Sequence, residues 1–192
     1  MDPQFYLASA SPRRRQLLEQ LSLRVQVVTA AVDETPKAGE APRDYVLRVA
    51  GLKARAAAAA LGTPRLPVLA ADTTVVLAGA ILGKPEGRAD AIRMLTSLGG
   101  RWHQVLSAVA LWDRGGLETA LSESRVLFRA IAPDEAGAYW GSGEPGDKAG
   151  AYGIQGLGAV FVESLEGSYS GVMGLPLFET AALLGKAGVR VL

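Results

Sequence analysis

The stretch Phe5-Tyr6-Leu7-Ala8-Ser9-Ala10-Ser11-Pro12-Arg13-Arg14-Arg15-Gln16-Leu17-Leu18 decides the fold. Residues 4–8 read as an apolar strand that runs straight into a turn. Residues 11–20 then read as a helix. Ser11 is placed as its N-cap and Pro12 at the first helical position, where a missing N–H costs nothing. Leu17, Leu18 and Leu21 mark the buried stripe. Arg13, Arg14 and Arg15 therefore crowd the first turn, against the helix dipole and beside unpaired N–H groups. Local physics prefers Asp or Glu there. An anion bound by the N–H groups and guanidiniums together resolves the conflict. The alternative is three arginines that point to water.

The same alternation continues outward. A second strand is expected at residues 25–29, then a polar loop at 30–42 holding Asp33, Glu34 and Lys37. A long helix follows at 43–61, with Tyr45, Val46, Val49, Leu52 and Ala56 at helical spacing and an alanine run of high propensity. Residues 68–71 read as a buried strand ending at Asp72, with 73–77 still extended and a turn at Ala78-Gly79 before Ile81-Leu82. A helix at 88–98 stops at Gly99-Gly100. Strands at 103–113 and 117–129 form a hairpin over Arg114-Gly115-Gly116. A short helix at 134–140 leads to an irregular, glycine-rich stretch at 141–158. Segments 159–163 and 169–173 flank a turn at Glu166-Gly167, a helix spans 176–186, and a short strand closes the chain at 189–192. Strand–helix–strand units joined to a long hairpin predict an α/β fold with a mixed sheet. No internal repeat and no linker divides residues 1–192, so one domain is expected.

Bulk composition narrows the function. At 192 residues, 49% hydrophobic and 20% charged, the chain is large enough for a real core and is not disordered. A net charge of +1 argues against a partner that is nucleic-acid backbone, so any anion site is local. The absence of cysteine excludes disulfides, thiolate metal sites and a cysteine nucleophile. Met1-Asp2-Pro3-Gln4 shows no secretory pattern, and the longest apolar run, residues 66–83, is interrupted by Pro67 and Asp72. A cytoplasmic protein with no membrane span is expected, and a homodimer is compatible with a chain this apolar.

Asp72 is the first chemical candidate. A carboxylate closing so apolar a strand is costly unless paired or metal-bound, and ligands of α/β sheets collect at strand carboxyl ends. The alternative is an aspartate capping the turn through Thr73 and Thr74. Glu34 or Asp33 beside Asp72 would make a two-carboxylate site for a hard cation. Lys84 is no Walker lysine, because the glycine spacing is wrong and no Ser or Thr follows, yet it could reach a phosphate. Lys53, with Arg55 nearby, reads as a solvated helix face. Gln155, within Gly153-Ile154-Gln155-Gly156-Leu157-Gly158, offers a donor and an acceptor side by side, matching an imide edge such as that of uracil or thymine. His103, the single histidine, has no nucleophile elbow to serve and reads as structural.

Five blocks together resemble the Maf family of nucleoside triphosphate pyrophosphatases. They are Leu7-Ala8-Ser9-Ala10-Ser11-Pro12-Arg13-Arg14, Ala71-Asp72-Thr73, Leu82-Gly83-Lys84-Pro85, Asp147-Lys148-Ala149-Gly150-Ala151-Tyr152-Gly153-Ile154-Gln155-Gly156 and Ser170-Gly171-Val172-Met173-Gly174-Leu175-Pro176. The resemblance implies a Maf/ITPase-like α/β fold, a mixed twisted sheet with flanking helices and a cleft between two lobes. It implies metal-dependent cleavage between the α- and β-phosphates. Asp72 is then the proton acceptor, and Glu34 and Asp72 hold Mg²⁺ or Mn²⁺. Ser9, Ser11, Arg13, Arg14, Lys53, Thr73, Lys84 and Gln155 surround the substrate. Arg13, Thr73 and Gln155 match the specificity positions of the dTTP/UTP branch. A 7-methyl-GTP or modified-purine pyrophosphatase is the alternative, and a nucleotide-binding regulator of septum formation without turnover is the second.

Overall fold

A computed structural model describes residues 2–191. Strand β1 (Phe5–Ala8) leads into helix α1 (Pro12–Gln20), and β2 (Val25–Val28) returns beside it. A loop connects to α2 (Pro42–Ala60), followed by β3 (Val68–Leu77) and β4 (Ala80–Leu82). Helix α3 (Arg88–Leu98) precedes the hairpin of β5 (Trp102–Asp113) and β6 (Gly116–Phe128). Helix α4 (Pro133–Gly141), three short 3₁₀ turns, β7 (Val162–Glu166), α5 (Tyr169–Met173) and α6 (Leu177–Lys186) complete the chain. The seven strands form one mixed sheet in the order β2-β1-β3-β5-β6-β7, with β4 pairing β3. The predicted α/β class and mixed sheet hold, and α3 has the expected bounds.

Both strand faces of this sheet are covered. Alanines 50, 54, 57 and 58 lie buried along α2, and their small side chains let the helix sit close on Val68, Ala70 and Val76 of β3. On the opposite face Leu17 and Leu18 of α1 and Leu183 and Leu184 of α6 cover Phe5, Leu7, Leu69 and Ala71. Phe5 and Leu7 are fully buried, each worth about 1.5–3 kcal/mol relative to exposure. A third cluster joins α3 and α4 to Phe128, Tyr152 and Phe161. Among the described residues no helix is long and apolar enough to cross a membrane.

Several expectations need correction. The stripe of α2 runs through Val46, Val49, Ala50, Ala54 and Ala57, while Leu52 is 38% exposed. Ser11 does flank α1, but its hydroxyl makes no capping bond. Residues 159–161 belong to a 3₁₀ turn, and 169–173 are the helix α5, capped by Ser168 accepting from the Gly171 N–H. The closing strand does not form: residues 189–191 are irregular, and Leu192 lies outside the described residues. Asp72 does not end its strand. It sits inside the ten-residue β3, and the reason bears on the site.

Candidate active site

β3 changes neighbours along one edge. Parallel β1 pairs it from Val68 to Ala70, and antiparallel β4 pairs it from Val75 to Leu77. Between them, residues 71–74 have no strand on that side, although β5 runs unbroken along the other. The gap opens because β1 ends at Ala8 and the chain turns away into α1. Asp72 therefore lies just past the carboxyl ends of the parallel strands, where α/β sheets gather ligands. A cavity of about 620 Å³ fills the gap. All ten sequence-predicted site residues line it: Ser9, Ser11, Arg13, Arg14, Glu34, Lys53, Asp72, Thr73, Lys84 and Gln155.

Side chains alternate across a strand, which splits the site into two halves. Asp72 shares the face of Ala70 and Val76, toward α2. From α2, Lys53 reaches it: Nζ lies 2.8 Å from Asp72 Oδ1 and 2.8 Å from Glu34 Oε2. Lys53 is thus no solvated surface residue. Its side chain is 16% exposed, and it stands within the apolar stripe of α2. A lysine spaced four residues from Val49 and from Ala57 was the available signal. The Asp72 side chain is only 8% exposed. Burial raises its pKa above the ordinary carboxylate value, while Lys53 and Arg14 pull the other way.

Thr73 projects to the opposite face, toward α1. There Arg14 donates from Nε to the Gly174 carbonyl at 2.7 Å, from one terminal nitrogen to Ser9 Oγ at 3.1 Å and from the other to Thr73 Oγ1 at 3.5 Å. Desolvation pulls the Arg14 pKa below its ordinary value, against Asp72. Ser107 donates to the Gly171 carbonyl at 2.6 Å, so the Thr73 hydroxyl, 2.8 Å from Ser107 Oγ, is left as the donor of that pair. Ser9 Oγ also accepts from the Ser11 N–H at 3.2 Å, shaping the turn before α1. Arg13 lines the cavity and pairs with Asp147 at 3.0 Å. Arg15 lies outside it, exposed and paired with Glu19. Two of the three crowded arginines thus converge on the cavity.

The loop bearing Glu34 is pinned from α2. Arg48 grips Glu40 through Nε at 2.5 Å and a terminal nitrogen at 2.7 Å, and donates to the Thr35 carbonyl. Hydrogen bonds from Arg48 and from the Lys37 N–H bring the Glu40 carboxyl down to about 2. Asp33, the other acid weighed, accepts from the Thr35 N–H in a local turn and does not line the cavity. Lys84 and Gln155 are exposed at the cavity, and Lys84 makes no ion pair among the described residues. His103 is buried away from the cavity, 2.9 Å from the Tyr152 hydroxyl and edge-on to Phe128. Burial lowers its pKa to about 4.

Sequence reading did not assign Tyr45, Asp147 or Lys148 to the site, and all three line the cavity. Tyr45 lines the cavity from α2, and burial pushes its hydroxyl up to about 12. Asp147 holds two cations, Arg13 and Lys148, the latter at 2.7 Å. No local pattern announces that pairing, because 134 positions separate Arg13 from Asp147.

The arrangement gathers five cationic side chains, Arg13, Arg14, Lys53, Lys84 and Lys148, with three acids, Glu34, Asp72 and Asp147, around one cavity. It can hold a polyanion and accept a proton beside it. Comparison with known proteins bears on which polyanion. The model of the Maf-like protein family matches residues 4–187. The chain belongs to the Maf family. A dTTP/UTP pyrophosphatase of Methylobacillus flagellatus is 53% identical over 186 residues, covering 97% of this chain and 94% of that protein. A dTTP/UTP pyrophosphatase of Bordetella parapertussis is 54% identical over 196 residues, covering 98% and 95%. One of Ralstonia nicotianae is 52% identical over 199 residues, covering 98% and 96%. The likeness to this Maf family runs from β1 to the end of α6, so it embraces every wall of the cavity.

Proposed function

We propose that this chain hydrolyses dTTP and UTP between the α- and β-phosphates, releasing the nucleoside monophosphate and pyrophosphate. The observation that carries this reading is the buried Asp72, tied through Lys53 to Glu34 in a cavity lined by four further cations. The names of the full-length relatives supply the substrate class.

The roles follow from charge and position. Arg13, Arg14, Lys84 and the free N–H groups of α1 neutralise the triphosphate, with Ser9 and Ser11 at the turn beside them. Nucleophilic attack at phosphorus needs that neutralisation and a positioned water. Asp72 takes the proton from the attacking water. Burial, which raises its pKa, favours that role, and a bound cation would oppose the shift. The Lys53 ammonium keeps the carboxylate ionised and oriented.

Two carboxylate oxygens already converge on one positive charge, the Lys53 ammonium, so the donor set suits a hard divalent cation. Among the described residues no three or more acidic or histidine side chains are grouped so that they could hold a metal ion. Glu34 and Asp72 would hold Mg²⁺ or Mn²⁺ as a pair. When bound, such an ion neutralises phosphate charge and acidifies a water.

Base choice falls to Gln155, whose amide matches the imide edge of uracil or thymine, with Arg13 and Thr73 across the cavity. Cytosine presents an amine where uracil has a carbonyl, and a site that hydrogen-bonds one edge rejects the other. A near-neutral chain supports a small nucleotide, and not nucleic-acid backbone, as partner. The test is pyrophosphate release from dTTP, UTP, CTP, GTP and 7-methyl-GTP, with and without Mg²⁺ or Mn²⁺. Turnover of dTTP and UTP above the rest is expected. Equal rates on all five would remove Gln155 as a base reader. Binding without pyrophosphate release would leave a regulator, not an enzyme.

A further inference from the structure

We propose that Glu144 is a positioning residue for base selection: with Tyr139 it fixes the glycine-rich arc that presents Gln155. This rests on the reading of Gln155 given above and goes beyond it, because neither Glu144 nor Tyr139 lines the cavity.

The arc runs from Gly153 to Gly158, and both of its ends are tied to one carboxylate. After Gln155, Glu144 Oε2 accepts from the Leu157 N–H at 2.8 Å and Oε1 accepts from the Gly158 N–H at 3.2 Å. Before it, the Gly153 N–H donates to the Tyr139 hydroxyl at 3.1 Å, and that hydroxyl donates to Glu144 Oε1 at 2.6 Å. Gly156 closes the arc onto the Gly153 carbonyl at 3.3 Å. The backbone on either side of Gln155 is therefore anchored, while its side chain is exposed toward the cavity.

The glycines carry an independent signature of this device. A Cβ on Gly156 would overlap the Glu144 carboxylate. A Cβ on Gly158 would stand 2.7 Å from the Tyr139 hydroxyl, and one on Gly153 would stand 3.1 Å from Glu144 Oε1. None of these glycines has a positive φ, so backbone freedom is not what the positions require. They are small so that the carboxylate can enter the arc. Glu144 is also held ionised. Burial opposes the charge, but the bonds from Tyr139, Leu157 and Gly158 outweigh burial and lower its pKa. Its backbone carbonyl accepts from Lys148, so the same residue anchors a cation of the cavity wall.

The arrangement has a functional consequence. An anchored backbone makes the Gln155 side chain enter the cavity from one point, so its amide meets a base at a set distance and angle; a loose arc lets the whole side chain shift to suit either edge. Loosening the arc should therefore cost selectivity more than chemistry.

The test compares Tyr139→Phe, Glu144→Gln, Gln155→Ala and the double variant Tyr139→Phe/Gln155→Ala. Each is assayed for pyrophosphate release from UTP and CTP, with thermal midpoints recorded. Tyr139→Phe keeps the ring packed on Phe161 and removes the hydroxyl that links Gly153 to Glu144, while the bonds from the Leu157 and Gly158 N–H groups to Glu144 stay, so it is the milder change of the two. The expected result is a fall of about ten-fold in the UTP-over-CTP ratio of kcat/KM for Tyr139→Phe and Glu144→Gln, the scale of one hydrogen bond. It should be carried by KM for UTP, with kcat within about three-fold. The double variant should be no less selective than Gln155→Ala alone, because the two residues act on one contact. Unchanged selectivity in Tyr139→Phe overturns the inference, whatever happens to total activity. So does a selectivity loss that adds to that of Gln155→Ala. A parent chain that turns over neither UTP nor dTTP overturns the underlying assignment instead.

Discussion

Replacing Asp72 by Asn tests the proposed chemistry with the least disturbance to structure. The side chains match in volume, and the amide oxygen still accepts from Lys53, 2.8 Å away. A charge-assisted hydrogen bond becomes an ordinary one, a loss of about 1 kcal/mol. Relief of the desolvation that now raises the Asp72 pKa offsets part of this. The net stability change should stay within about 1 kcal/mol, or roughly 2–4 °C in Tm for a domain of this size. The catalytic loss is of another order. A general base contributes about 10²–10⁴ in rate, so turnover should fall by roughly 10³, about 4 kcal/mol on the barrier. Binding should survive, because the cations around the triphosphate are untouched and one nearby negative charge is gone. Single-turnover pyrophosphate release from UTP gives the rate, and calorimetric titration gives the binding. A variant that keeps more than about a tenth of parental turnover at saturating metal would refute Asp72 as the proton acceptor.

Lys53→Met should abolish turnover and leave Asp72 buried without its counter-ion, which costs about 2–3 kcal/mol, the lower side of buried-pair losses because the ammonium is 16% exposed; urea unfolding measures it. Chelation of divalent cations should remove pyrophosphate release, and added Mg²⁺ or Mn²⁺ should restore it; unaffected turnover in chelator would exclude the Glu34–Asp72 metal reading. The protein should lose stability in acid through His103. Its folded pKa is depressed to about 4, below the ordinary 6.5, so the unfolded chain binds the extra proton first. That stability is complete above about pH 6.5 and is lost as pH falls toward 4, up to about 3 kcal/mol. Denaturation at pH 4.5, 5.5 and 7 should show the slope, and a His103→Phe variant that still folds should flatten it.

Much of the site could be read along the chain. Apolar residues leading up to Asp72 mark a carboxylate in a costly place, and the arginines after Pro12 mark a helix start that lacks its anion. Both are conflicts between a residue and its immediate neighbours, so local physics exposes them. Lys53 was misread for the opposite reason. Its neighbours on α2 are alanines, and a stripe of alanines is a weak signal of which helix face is buried. Asp147 and Glu144 gave no signal, because each is an ordinary acid in a polar, glycine-rich loop until its partners arrive.

The amino-acid order by itself determined most of the strands and helices and the alternation that makes an α/β sheet, since period and turn chemistry act over a few residues; it did not mark α5, and it suggested a closing strand that does not form. It did not determine the point at which β3 exchanges β1 for β4. That gap brings α1, α2 and the glycine-rich loop to the same four residues. Sheet register and helix packing set distances between segments 19 to 134 positions apart, and no local preference encodes a distance of that kind.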